Sequence, residues 1–129
     1  MIDLRRTSVP RMADPATSWA RIRPEAAGGG LRSAEAVATA LLDAPTPGLF
    51  GEPEPPAFVP TIDYAVHLAP DAGEWDPAGW LRLDHATAWA TRQHCVDEVH
   101  AWTADGRLLA TLRQTRAVWW PPAGTEESA

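Results

Sequence analysis

Six prolines fall between residues 45 and 60: Pro45, Pro47, Pro53, Pro55, Pro56 and Pro60. Each fixes its own φ, removes a backbone donor and pushes the preceding residue out of the helical region. The segment is therefore a stiff, extended connector and not a core element. It splits the chain into a helical piece before it and a β-rich piece after it. With thirteen prolines and nine glycines in 129 residues, an all-helical bundle is excluded.

Ahead of the connector, Ser33 is an N-cap, and Ala34, Val37, Ala38, Leu41 and Leu42 recur at helical spacing. Pro45 and Pro47 prevent continuation. Further upstream, Thr17 to Arg23 alternates and predicts a short strand ended by Pro24. Residues 1–16 show no clear period and hold two prolines, which predicts a flexible arm. Gly28, Gly29 and Gly30 read as a flexible turn, because no GxxxxGK or GxGxxG pattern surrounds them.

Beyond the connector the period is two. Ile62, Tyr64, Val66 and Leu68 alternate with Thr61, Asp63, Ala65 and His67. Trp80 to Thr91 predicts the next strand, with Leu81, Leu83, His85, Thr87 and Trp89 on one face. His94 to Trp102 and Arg107 to Trp120 follow, joined by the hairpin turn Ala104-Asp105-Gly106. In the last strand Leu108, Ala110, Leu112, Gln114 and Val118 share a face, with Arg116 the exception. Pro121 and Pro122 end it, and residues 121–129 predict a disordered acidic tail. The order of strand, helix and four strands predicts an α+β fold, an antiparallel sheet with one helix packed on one face. The free face and edge of such a sheet seek a partner.

A mass of 14.0 kDa implies one domain. Seventeen acidic against eleven basic residues give a net charge of −6, the wrong balance for tracking phosphates. The single cysteine, Cys95, permits no internal disulfide and fits a reducing compartment. No apolar run follows Arg5, Arg6 and Arg11, and none approaches the ~20 residues of a membrane span. The expectation is a cytoplasmic protein with no nucleic-acid or membrane partner.

Three segments carry a family resemblance. They are Pro60 to Leu68, Gly79-Trp80-Leu81-Arg82-Leu83, and Asp105-Gly106-Arg107 through Arg113-Gln114. With the helix ending Leu41-Leu42-Asp43-Ala44-Pro45, their order resembles hotdog-fold acyl-CoA thioesterases. The nearest likeness is to the C-terminal half of the double-hotdog, type II enzymes, over residues 17–120. The resemblance implies a single hotdog fold, a sheet wrapped around one long helix. It implies hydrolysis of acyl-CoA or a related acyl thioester, with no cofactor. Water would be held by an Asp, a hydroxyl and a Gln, matching Asp63, Thr87 and Gln114. An ungapped count puts Ala88 at the hydroxyl position, so Thr87 needs a bulge to serve. At 129 residues the chain is about half a double hotdog, which implies a homodimer or pairing with a second hotdog chain. A non-catalytic hotdog module and a hotdog dehydratase or hydratase resting on His67 or His85 stay open.

On the residues alone, Gln114 interrupts an apolar face, and a buried amide must be hydrogen-bonded. Both a site role and a structural bond satisfy that. Asp63 lies opposite the apolar face of its strand, where a carboxylate is solvated or part of a site. His67, His85, His94 and His100 lack metal-ligand spacing; positions 94 and 100 are ~20 Å apart along a strand. No metal site is expected. Cys95 lacks an activating base on its own face. Trp119 and Trp120 point to opposite faces, so one meets a partner or an acyl chain.

Overall fold

The computed structural model describes residues 2–6, 15–23 and 33–122. They form strands β1 (Ile2–Arg6), β2 (Ala16–Ile22), β3 (Thr61–Leu68), β4 (Leu81–Ala90), β5 (His94–Thr103) and β6 (Leu108–Ala117), and helix α1 (Ala34–Leu42). The strands make one antiparallel sheet in the order β1-β2-β4-β5-β6-β3. The nine-residue helix packs on one face of it, against β2, β5 and β6. This is the α+β, single-hotdog arrangement that the resemblance implies.

Local chemistry explains the elements. Ser33 caps α1: its Oγ accepts from the backbone N–H of Ala36 at 3.1 Å. The buried stripe Ala34, Val37, Ala38, Leu41 and Leu42 meets Leu81, Leu83, Val99, Ala101, Leu109, Ala110 and Leu112 from the sheet. Each leucine so buried contributes roughly 1.5–3 kcal/mol over an exposed one. A second, smaller cluster of Leu49, Val59, Cys95 and Val118 sits where the connector crosses the ends of β5 and β6.

Residues 1–16 are not wholly a flexible arm. Ile2–Arg6 is a strand at the edge of the sheet, paired with β2 from Ile2↔Ile22 to Arg6↔Ser18. Ile2 and Leu4 pack on the core, and Asp3 accepts from Arg21 and Arg23 at 3.0 and 3.1 Å. Two apolar residues are too few to display a period, so tertiary pairing makes this strand. Residues 7–14, the three glycines and the tail from 123 lie outside the described residues.

Strict alternation also fails three times, at β-bulges. Between β5 and β6, Ala101 opposes Ala110 but Trp102 opposes Leu108, so Leu109 is the extra residue; it is buried, and Leu108 is exposed and not on the inward face expected of it. Between β4 and β5, Thr87 opposes Asp97 but Trp89 opposes Val96. Ala88 is the extra residue, and Trp89 turns out to solvent at 46% exposure, away from the face it was expected to share with Thr87. Between β3 and β6, Thr61 opposes Arg116 but Asp63 opposes Thr115. Ile62 is the extra residue there, and Thr61, though exposed, lies on the side of Gln114, whose amide it meets.

Candidate active site

The bulges align inward side chains into rows that cross four strands. One row, His85–Val99–Leu112–Val66, is apolar except for the histidine. The next is Thr87–Asp97–Gln114–Tyr64. Beyond it Arg116 opposes both Cys95 and Thr61.

Hydrogen bonds join this polar row into one cluster. The Thr87 hydroxyl donates to Asp97 Oδ1 at 2.7 Å. Arg116 Nε donates to Asp97 Oδ2 at 2.7 Å, and Arg116 Nη2 donates to Gln114 Oε1 at 2.8 Å. Arg116 Nη1 donates to the Val59 carbonyl at 3.2 Å, which ties the connector to the sheet. Gln114 Nε2 donates to the Thr61 hydroxyl. Asp97, Thr87 and Gln114 are all buried. A charge is tolerated there because both Asp97 oxygens are hydrogen-bonded and its partner cation is equally enclosed.

A cavity of about 20 Å³ opens where this cluster meets the end of α1. Its polar lining is Asp43, Thr46, His85, Asp97, Gln114 and Arg116. The volume suits a water molecule and excludes an acyl chain. The two carboxylates differ. Asp97 is consumed by Thr87 and Arg116. Asp43 closes α1 through its backbone N–H to Ala40, and its carboxylate has no hydrogen bond or ion pair among the described residues.

His85 is buried, and its Nε2 lies 3.2 Å from Ser18 Oγ. Burial pulls its pKa below the usual value, Asp84 and Asp97 oppose that, and Arg6 adds to it. The imidazole is a neutral group at the cavity wall. Ser18 is fully buried, so the pair presents no serine nucleophile. Tyr64 donates its hydroxyl to the Thr39 carbonyl of α1 at 3.1 Å, and burial together with Asp43 raises its pKa. Burial pushes the Cys95 thiol up to about 11, which keeps it protonated and inert.

Of the three residues singled out in the sequence, the fold brings Thr87 and Gln114 into one bonded cluster. The bulge at Ala88 accompanies Thr87's inward position. Asp63 is exposed on β3 opposite Thr115, outside the cavity lining, and its carboxylate has no partner among the described residues. Three residues escaped sequence reasoning. Arg116 had a signal, since it breaks the even-position pattern of its strand. Asp97 had a weaker one, a carboxylate inside the buried run Cys95-Val96-Asp97. Asp43 had none beyond its place after the helix. Among the described residues no group of His, Cys, Asp or Glu could hold a metal ion, and no helix is long and apolar enough to cross a membrane.

Comparison with known proteins gives a family match over residues 2–118, described as "acyl-CoA thioesterase C-terminal domain". No curated protein matches the chain. Among solved structures, an acyl-CoA thioesterase II, TesB2, of Mycobacterium marinum is similar with a TM-score of 0.69 and 18% identity. The match covers 93% of this chain and 49% of that one, so the chain spans about half of that relative. The smu.793 protein of Streptococcus mutans, bound to acetyl CoA, gives a TM-score of 0.64 at 11% identity, covering 90% of this chain and 88% of that one. A hypothetical thioesterase of Streptococcus pneumoniae, with coenzyme A, gives 0.67 at 12% identity with the same coverages, 90% and 88%.

Proposed function

Because the chain belongs to the acyl-CoA thioesterase C-terminal domain family, we propose that it hydrolyses acyl-CoA, or a related acyl-carrier thioester, at the cavity beside the end of α1. One observation carries this reading. Asp43, an exposed residue whose carboxylate has no hydrogen bond or ion pair among the described residues, and Gln114, a buried amide, are both lining residues of a cavity whose volume fits one water molecule.

The water oxygen attacks the thioester carbonyl carbon while Asp43 takes its proton. Negative charge moves to the carbonyl oxygen, and the Gln114 amide is a neutral donor for it. The C–S bond then breaks, the thiolate recovers the proton, and a carboxylic acid and a thiol leave. Thr87 acts through Asp97 and not on the water. The cavity lining supports Asp43 over Asp63 as the carboxylate. The small volume also means that the acyl chain runs outside this cavity, along a groove completed by a second copy or a second hotdog chain.

Purified protein is assayed with acyl-CoAs of varied chain length and thiol detection. Asp43→Ala and Gln114→Ala are each expected to lose roughly 100-fold in kcat, and Asp63→Ala to stay near wild type. Absence of turnover, or an unimpaired Asp43→Ala, overturns the reading. Binding of acyl-CoA by calorimetry without turnover assigns a non-catalytic module instead. His85 on the cavity wall beside Asp97 favours a second reading, hydration of an unsaturated acyl thioester. A hydration rate abolished by His85→Gln would establish it.

A further inference from the structure

Arg116 is the feature of the last strand that the proposed hydrolysis leaves without a task. It is nearly enclosed, with 12% of its side chain exposed, and its three nitrogens bond to three separate places. Nε meets Asp97 on β5, Nη1 meets Val59 of the connector, and Nη2 meets Gln114 two residues away on β6.

A guanidinium donates and never accepts. Whatever faces Arg116 must therefore be an oxygen. The Gln114 amide has one oxygen and one nitrogen, nearly equal in shape, and could sit either way round in an unmarked pocket. Arg116 removes that freedom. Oε1 is held by a charge-assisted bond, so Nε2 must point the other way. There, one N–H is accepted by Thr61, which the Ile62 bulge puts on the side of Gln114. The second N–H has no partner among the described residues, on a side chain that lines the cavity.

We infer that Arg116 is a positioning residue that sets the polarity of the Gln114 amide, making Gln114 a hydrogen-bond donor to the substrate carbonyl and not an acceptor for the attacking water. This rests on the proposed thioester hydrolysis for its substrate, though the amide orientation itself does not. Thr61 shares the task, since its hydroxyl takes the first N–H and leaves the second for the cavity.

Gln114→Glu separates the two roles. A carboxylate keeps the size and the contact with Arg116 but has no N–H to give. If Gln114 is a donor, Gln114→Glu falls in kcat as far as Gln114→Ala, roughly 100-fold. If it accepts from water, Gln114→Glu retains or gains activity, and the inference is overturned. Arg116→Met frees the amide to rotate and is expected to lower kcat by about 10–100-fold with little change in KM. Should the buried Asp97 then prevent folding, the paired change Asp97→Asn with Arg116→Met removes both charges and gives the same kinetic prediction.

An activity-independent readout keeps the inference distinct from the proposed function. The side-chain amide of Gln114, observed by ¹H–¹⁵N NMR in the full chain, is expected to show proton shifts displaced from those of free glutamine, with the proton bonded to Thr61 protected from exchange. These should collapse toward free glutamine in Arg116→Met. A free-like amide in the wild type overturns the inference even if thioesters are hydrolysed. A fixed amide in a chain that hydrolyses no thioester leaves the orientation standing and removes only the substrate.

Discussion

His85 couples the cavity wall to solution pH. Burial holds its pKa below the usual 6.5, and Arg6 pulls in the same direction against Asp84 and Asp97. The unfolded chain takes up the proton at about pH 6.5, before the folded chain does. Stability is therefore full above that point and is lost as pH falls toward the folded value. The melting temperature is expected to be level between about pH 8 and 7 and to drop between about pH 6.5 and 5. His85→Gln should flatten the drop, and a wild-type melting temperature that rises on acidification contradicts the assignment. Residues differ in how far their sequence betrays them. Gln114 was legible because an amide in an apolar row demands a partner. Arg116 was visible as an exception whose meaning needed Asp97, nineteen positions earlier on another strand. Asp43 was invisible, because nothing local says which loop the end of a helix will face.

At the level of elements, alternation and capping located α1 and the four strands that follow the connector. They missed β1, which owes its existence to neighbours. Across four strands the register aligns Arg5, Trp19, Arg82 and Trp102 in one alternating row on the face opposite the helix. Beside it, Trp80 carries the guanidinium of Arg5 at 5.2 Å and that of Arg21 at 4.6 Å from its ring centroid. One ring thus clips β1 to β2 and to the start of β4. Each such contact contributes about 0.5–1 kcal/mol at an exposed site. Trp80→Leu, which keeps apolar bulk, is expected to cost about 1–2 kcal/mol in a denaturant melt. Hydrogen exchange should speed up at the amides of β1 more than at those of β5. Equal acceleration in both strands would mean that Trp80 supports the sheet as a whole and not its edge.

At the scale of the molecule, the far edge is the exposed one. β3 leaves Ile62 58% exposed and Tyr64 and Leu68 partly so, on a strand whose outer side pairs with no other strand among the described residues. Natural sheets rarely leave such an edge uncovered. Light scattering at micromolar concentration is expected to return about twice the 14.0 kDa of one chain. Ile62→Asp should return it to one, and a wild-type monomer refutes the pairing. Ile62 has a second consequence, which follows from its being the surplus residue of a bulge. It shifts the phase of everything before it in the strand. Deleting it would keep Thr61, Gln114 and Arg116 in the chain and yet turn Thr61 to the opposite side. Two relatives could carry an identical set of cavity residues and differ in chemistry by a count of one.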